Sequence, residues 1–275
     1  MALEQAIAYF SAAIEKNPAD DHAYVSRGMV WRAQKDHDRA IVDYTAAILI
    51  DPKKPWPYHD RAVAYHAKND FDQALADADE AVRLDPLGPS HVANRASIRF
   101  ARKEYDAAIA DYSEALRLLK GDEASLDDSG EDGLTRGRLW GAKWTCARAE
   151  CWIAKHANDK AVADYTAAFR LDPRDAATMN SLAWLLATCG DSRFRDGMRS
   201  FDFASRACTL TGFRDHLCLD TLAAAYAEAG DFAAAIKWQT LALDLVANDA
   251  RFADNYRARL QLFHDKVPYH EEDPR

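Results

Sequence analysis

Apolar side chains along this chain recur every three or four residues, so that each stretch carries one apolar and one polar helical face. A longer period lies over this one. Ala6, Ala40, Ala74 and Ala108 stand 34 residues apart, Pro18, Pro52 and Pro86 keep the same interval, and Tyr44 returns at twice that interval as Tyr112. Each interval holds two amphipathic stretches separated by a short polar turn, such as Lys35-Asp36-His37-Asp38, and closes on a proline. A helical hairpin of this size cannot bury its own apolar face, so the pattern predicts helix–turn–helix units stacked on their neighbours. Sparse Gly and Pro, abundant Ala and Leu, and no β-branched runs make the expected fold all-α.

The predicted units run over 21–54, 55–88, 89–119, 142–175, 176–215 and 216–249. Residues 1–20 match only a second helix, with Ala6, Phe10 and Ala13, and are read as a half-unit. A capping helix is expected over 251–267, with Phe252, Tyr256, Leu260 and Phe263 on one side. The whole of 1–267 is read as one solenoid, and 268–275 as a loose tail. The rhythm breaks at 120–141, where six acids lie between Asp122 and Asp132; this is expected to be a solvated loop or helix extension. Within the units, Gly28, Ala40, Ala62, Ala74, Ala108, Ala161 and Ala235 are small where two helices must cross closely. Tyr44, Tyr112 and Tyr165 supply the bulk beside that crossing. Pro52, Pro86 and Pro173 end the second helices, because proline restricts the residue before it.

Composition narrows the function. A formal net charge of −9 disfavours nucleic acid and would be repelled by an anionic membrane surface. The start carries Glu4 and helical periodicity in place of a basic run and apolar core, so it does not read as a signal peptide, and no apolar stretch is long enough to span a bilayer. The five cysteines form no regular framework, which points to a reducing compartment and a cytoplasmic protein. Cys146, Cys151 and His156 stand five apart on one helix, a step that turns each side chain away from the last. His59 and His66 lie two turns apart, about 10 Å at ~1.5 Å per residue, too far to share one ion. No Ser, Cys or Lys stands with an evident base and orienting acid. Neither catalysis nor a cofactor or metal is expected.

Taken together, Tyr24, Gly28, Trp31, Ala40, Tyr44, Ala47 and Pro52, recurring as Tyr58, Ala62, Tyr65, Ala74, Ala78, Ala81 and Pro86, resemble the tetratricopeptide repeat (TPR). The last two units, with their longer fifth turn and closing YRARLQLFHDKVPY helix, look like a subtype of bacterial TPR-only proteins. The resemblance implies a right-handed α-solenoid, or superhelix, whose concave groove is lined by the first helices and holds a peptide or helix of another protein. Carried onto this chain, the family's groove positions include Arg32 in the first unit and Trp56, His59 and His66 in the second. Asn94 and Phe100 follow in the third, Glu150 in the fourth and Asn180 in the fifth. Trp56, His59, Asn94 and Phe100 are expected at the surface, and Trp184 within the fifth unit. The Lys/Asn clamp with which many chaperone-binding members hold a terminal carboxylate is missing: Val25, Met29, Asp60, Ser90 and Asn94 occupy those places. The expected role is a non-catalytic protein-interaction scaffold. Two alternatives are self-association through the N-terminal half-unit, and a small-molecule-sensing module with a pocket near Trp56 and Phe100.

Overall fold

A computed structural model of the protein describes residues 2–123 and 130–272, with side chains over 3–120 and 137–272. Among the described residues there are fourteen α-helices, one short 3-10 turn and no strand. The fold is all-α, built from helical hairpins of the α-solenoid type. It divides into two compact units, Met1–Gly137 and Arg138–Arg275.

The first unit begins with α1 (Ala2–Lys16) and continues as three hairpins. These are α2 (Asp21–Ala33) with α3 (His37–Ile50), α4 (Pro55–Ala67) with α5 (Phe71–Leu84), and α6 (Pro89–Ala101) with α7 (Tyr105–Glu123). Aspartate starts most of the helices that follow a turn. Asp20, Asp36 and Asp70 each accept a hydrogen bond from the backbone amide three residues on, meeting one of the free N–H groups of the first turn. α4 and α6 open on Pro55 and Pro89 instead, where a missing N–H removes no helical bond. Ala40, Ala62, Ala74 and Ala108 are fully buried. Gly28 is also buried, and a Cβ there would fall 2.7 Å from the Tyr44 ring, so the absent side chain is what admits that ring to the crossing.

A charged seam runs through the same unit. Arg27, Arg61 and Arg95 each donate two bonds to an aspartate on the following helix, Asp43, Asp77 and Asp111, at 2.7–2.9 Å. The remaining Nη1 of each reaches back to the preceding helix, to Ser11, Thr45 and Asp79. Every first helix is thereby tied to the helices on both sides. Paired, bidentate geometry of this kind is the strongest form of Arg–carboxylate contact.

The second unit holds α8 (Gly130–Ala154) from Arg138 onward, then α9 (Asn158–Leu171), α10 (Ala176–Thr188), α11 (Gly197–Leu210), α12 (His216–Glu228), α13 (Phe232–Leu245) and α14 (Ala250–His264). Arg148 repeats the bidentate contact, to Asp164, and Ala161 and Tyr165 are buried beside it. Beyond α9 the core changes character, with Met179, Leu182, Leu186, Leu219, Leu222 and Tyr256 buried where the first unit has mostly alanine. The acid here sits on the first helix of its hairpin: Asp220 of α12 accepts from Gln239 of α13 and twice from Arg259 of α14. The closing helix is thus bonded to the last hairpin as well as packed on it, and Phe263 is fully buried with Ala223, Ala227 and Ala235.

Two sequence expectations meet the structure here. In the insertion, α7 runs on to Glu123 and α8 starts at Gly130; 124–129 lie outside the described residues. The tail expected to be loose from 268 is not so over 268–272. Tyr269 packs with the Phe263 group, and His270 and Glu271 bond to α12 and α10, contacts between residues 42 or more apart that no local pattern announces. Residues 273–275 lie outside the described residues.

Candidate peptide-binding surface

In the first unit, the first helices α2, α4 and α6 meet in turn through polar and aromatic groups. Arg32 of α2 stands 3.5 Å from Asp60 of α4. Between α4 and α6, His59 Nδ1 lies 3.2 Å from His91 Nδ1, and the Asn94 amide reaches the His59 carbonyl at 3.4 Å. Trp56 covers this pair, its ring centroid 5.3 Å from His59 and 4.5 Å from His91.

Burial sets the charge state of this cluster. Desolvation, helped by His91 and Arg32 nearby, pushes the His59 imidazole down to about 3. Burial also lowers His91, partly offset by Asp85, and lowers His66. The histidines are therefore neutral at pH 7, and one Nδ1–H must donate to the other ring. Asp60 moves the opposite way, raised by burial against the pull of Arg32. The surface beneath Trp56 is a fixed, neutral aromatic floor with an amide and one ion pair at its margins.

Of the four side chains expected at the surface, Trp56 is 53 % exposed, whereas His59, Asn94 and Phe100 are half-buried. The cause is the closeness of adjacent first helices: His59 and Asn94 are drawn into the joint between α4 and α6. His66 and Phe100, 34 residues apart, each lean on the first aromatic of the next helix, Phe71 and Tyr105, at 5.7 Å, and so close the hairpin turn. The structure brings Trp56, His59 and Asn94 together, with Arg32 and Asp60 beside them, and leaves His66 and Phe100 at the hairpin ends. His91, fully buried, was not singled out from the sequence; a lone histidine at a core position carries no local signal.

Glu150 and Asn180 belong to the second unit. Glu150 is exposed as a whole, yet desolvation raises its carboxyl. Asn180 is half-buried and lines a cleft of about 370 Å³ with Trp184, Leu217, Phe252 and Arg259. Trp184 does not pack solely within its own hairpin: its Nε1–H donates to Glu271 at 2.8 Å. Among the described residues no group of three or more His, Cys, Asp or Glu is placed to hold a metal, and no helix is long and apolar enough to cross a membrane.

The sequence model of the tetratricopeptide repeat matches residues 3–55 and 59–123, the stretch that forms α1 to α7. No curated protein matches the chain in sequence. Solved structures do match in fold. PilF of Pseudomonas aeruginosa is similar with a TM-score of 0.68 at 15 % identity, over 89 % of this chain and 99 % of that one. A chain of the APC/C hetero-tetramer Cut9–Hcn1 is similar with a TM-score of 0.65 at 16 % identity, over 81 % of this chain; the match spans only 39 % of that larger protein. YrrB, a TPR protein described as having an unusual peptide-binding site, gives a TM-score of 0.54 at 15 % identity, over 78 % of this chain and 97 % of its own. Identities this low speak for the fold alone. With its 34-residue period, its buried alanine crossings and the match over α1 to α7, the stretch 3–123 carries tetratricopeptide repeats, a module whose bearers generally act as scaffolds for other proteins, and over the rest of the chain the likeness is one of fold.

Proposed function

We propose that the protein is a non-catalytic scaffold that holds a segment of a partner protein against the inner face of α2, α4 and α6. The observation that carries this reading is Trp56: a large aromatic, 53 % exposed, held on a neutral His59–His91 floor whose geometry is fixed before any ligand arrives. An exposed aromatic anchor on a rigid base, with an amide close by, is the usual make-up of a binding hot spot. A known peptide-binding site on YrrB, similar in fold, accords with it. The test is capture of partners from host lysate by the intact chain and by Trp56→Ala and Asn94→Ala. Both variants should lose at least tenfold of the captured partner while keeping the helical signal; undiminished capture would reject this surface.

A second reading, self-association through α1, has its own observation: Tyr9 is 71 % and Leu3 43 % exposed on that helix. It predicts a mass by light scattering that grows with concentration and falls to that of one chain in Leu3→Lys/Tyr9→Lys.

A further inference from the structure

The segment after α14 lies over the C-terminal ends of α10 and α12. Lys266 turns it out of the helix in the left-handed conformation (φ 57°), and the Val267 N–H bonds back to the Leu262 carbonyl. Tyr269 then sets its ring 5.9 Å from that of Trp184. His270 Nε2 is 2.6 Å from Glu228 Oε2, at the last residue of α12. Glu271 makes two contacts with α10: its backbone N–H donates to the Thr188 carbonyl at 2.7 Å, and its carboxylate accepts from Trp184 Nε1–H at 2.8 Å. Thr188 ends α10, so its carbonyl is one that no amide of the helix can reach.

This is how a short extended peptide is held: one main-chain bond fixes the path, and alternate side chains supply selectivity. The segment does not fill what it crosses. The cleft beside Trp184 stays open, and the Asn180 Oδ1 buried at its wall has no hydrogen-bond partner among the described residues. Val267, Glu271 and Glu272 remain exposed, and Tyr269, packed with the Phe263 group, Trp184 and Arg259, is the segment's apolar anchor.

We propose that residues 267–272 are a displaceable internal ligand of this face, which takes from a partner an extended segment of the same chemistry: an aromatic side chain with a carboxylate two residues on. The inference rests on the reading of inner helix faces as peptide-binding surfaces. An internal ligand on a short tether competes at an effective concentration in the millimolar range, so a partner must outbid it or the segment must first be released.

The test uses a fluorescein-labelled peptide with the sequence of residues 265–275, titrated by anisotropy against the full chain and against full-length His270→Ala/Glu271→Ala. The released variant should bind at least tenfold more tightly than the parent. Adding Trp184→Phe, which keeps a ring but removes the N–H, should weaken that binding several-fold. A released variant with parental circular dichroism that binds no better than the parent overturns the proposal. Hydrogen exchange of the parent gives a check independent of any variant. The Glu271 amide should exchange far faster than the buried amides of α12, and exchange only by global unfolding would make the segment a fixed part of the core. Neither readout involves Trp56 or a host partner, so lost capture by the first unit and failed binding of this peptide are separate results.

Discussion

In the first unit, the charged groups between helices repeat: an arginine at the same place in each hairpin is shared between the helix ahead and the helix behind, and in the third hairpin Arg99 joins Arg95 on Asp111. In the second, beyond Arg148, the most buried of them gather at Asp220, which takes bonds from α13 and α14, while Glu228 takes Arg195 and His270. The difference follows from what each array must do. A repeating seam distributes its stabilisation, and each contact is one of several. A convergent knot gathers the last three helices around a single buried carboxylate, and the larger side chains of its core, such as Leu219 and Tyr256, close around it. The repeating seam and the buried knot thus use the same two residue types in opposite arrangement.

Three measurements would sharpen or break this contrast. The largest effect is expected from removing one arginine in each region. Asp220 and Arg259 are 6 % and 12 % exposed at their side chains, against 10 % and 17 % for Asp77 and Arg61. Arg259→Met should cost about 3–5 kcal/mol, because it strands a buried charge. Arg61→Met should cost about 1–3 kcal/mol, nearer the range of a charge-assisted hydrogen bond. Urea titrations monitored by circular dichroism compare the two, and equal losses would show that the knot is no more than another rung.

A smaller effect concerns pH. His59 and His91 are held neutral in the folded state, with pKa values below the usual 6.5. As pH falls below 6.5 the unfolded chain takes up protons that the folded pair refuses, so stability present at pH 7 is lost on the way towards pH 3. Between pH 7 and 5 the share of His59 alone should be about 2 kcal/mol. His59→Gln should remove the His59 share and leave a shallower slope from His91 and His66 over that interval, a range that lies above the titration of ordinary carboxylates. A slope unchanged by the substitution would place the acid sensitivity elsewhere.

The smallest difference lies in the turns. Lys35, Asn69 and Lys103 adopt φ 61–64° between the helices of their hairpins, and Gly230 adopts φ 84° at the matching place in the second unit. Left-handed backbone strains any residue with a Cβ by about 1 kcal/mol. Lys103→Gly should therefore raise thermal stability by a fraction of that amount, and Gly230→Ala should lower it by a similar amount. Two shifts of the same sign would mean that the turns are not equivalent.

Much of this architecture was legible in the sequence, because it depends on spacing. Ala40, Ala74 and Ala108 mark crossings that admit only small side chains, and Asp51 and Asp85 before proline mark helix ends. The arginine seam was also present at the same period, in Arg27, Arg61 and Arg95 and in Asp43, Asp77 and Asp111. Spacing alone does not reveal it, because charged residues on a helix ordinarily face water, and only the tertiary structure pairs them. The binding surface was less legible. Groove positions specify which side of a helix a residue occupies, but the depth of His59 and Asn94 depends on how closely α4 and α6 approach. The docked segment at Tyr269 to Glu271 left no trace at all, since its contacts join residues up to 87 apart.

The two-way reach of the arginines bears on how such a chain can change its length. Arg61 and Arg95 each look back sixteen positions, to Thr45 and Asp79. Excise residues 55–88, and the position sixteen before Arg95 becomes Thr45, an oxygen already suited to the same guanidinium. Gene duplication or loss of one complete period therefore heals its own junction, and a chain built this way can be edited by whole modules without redesign at the splice.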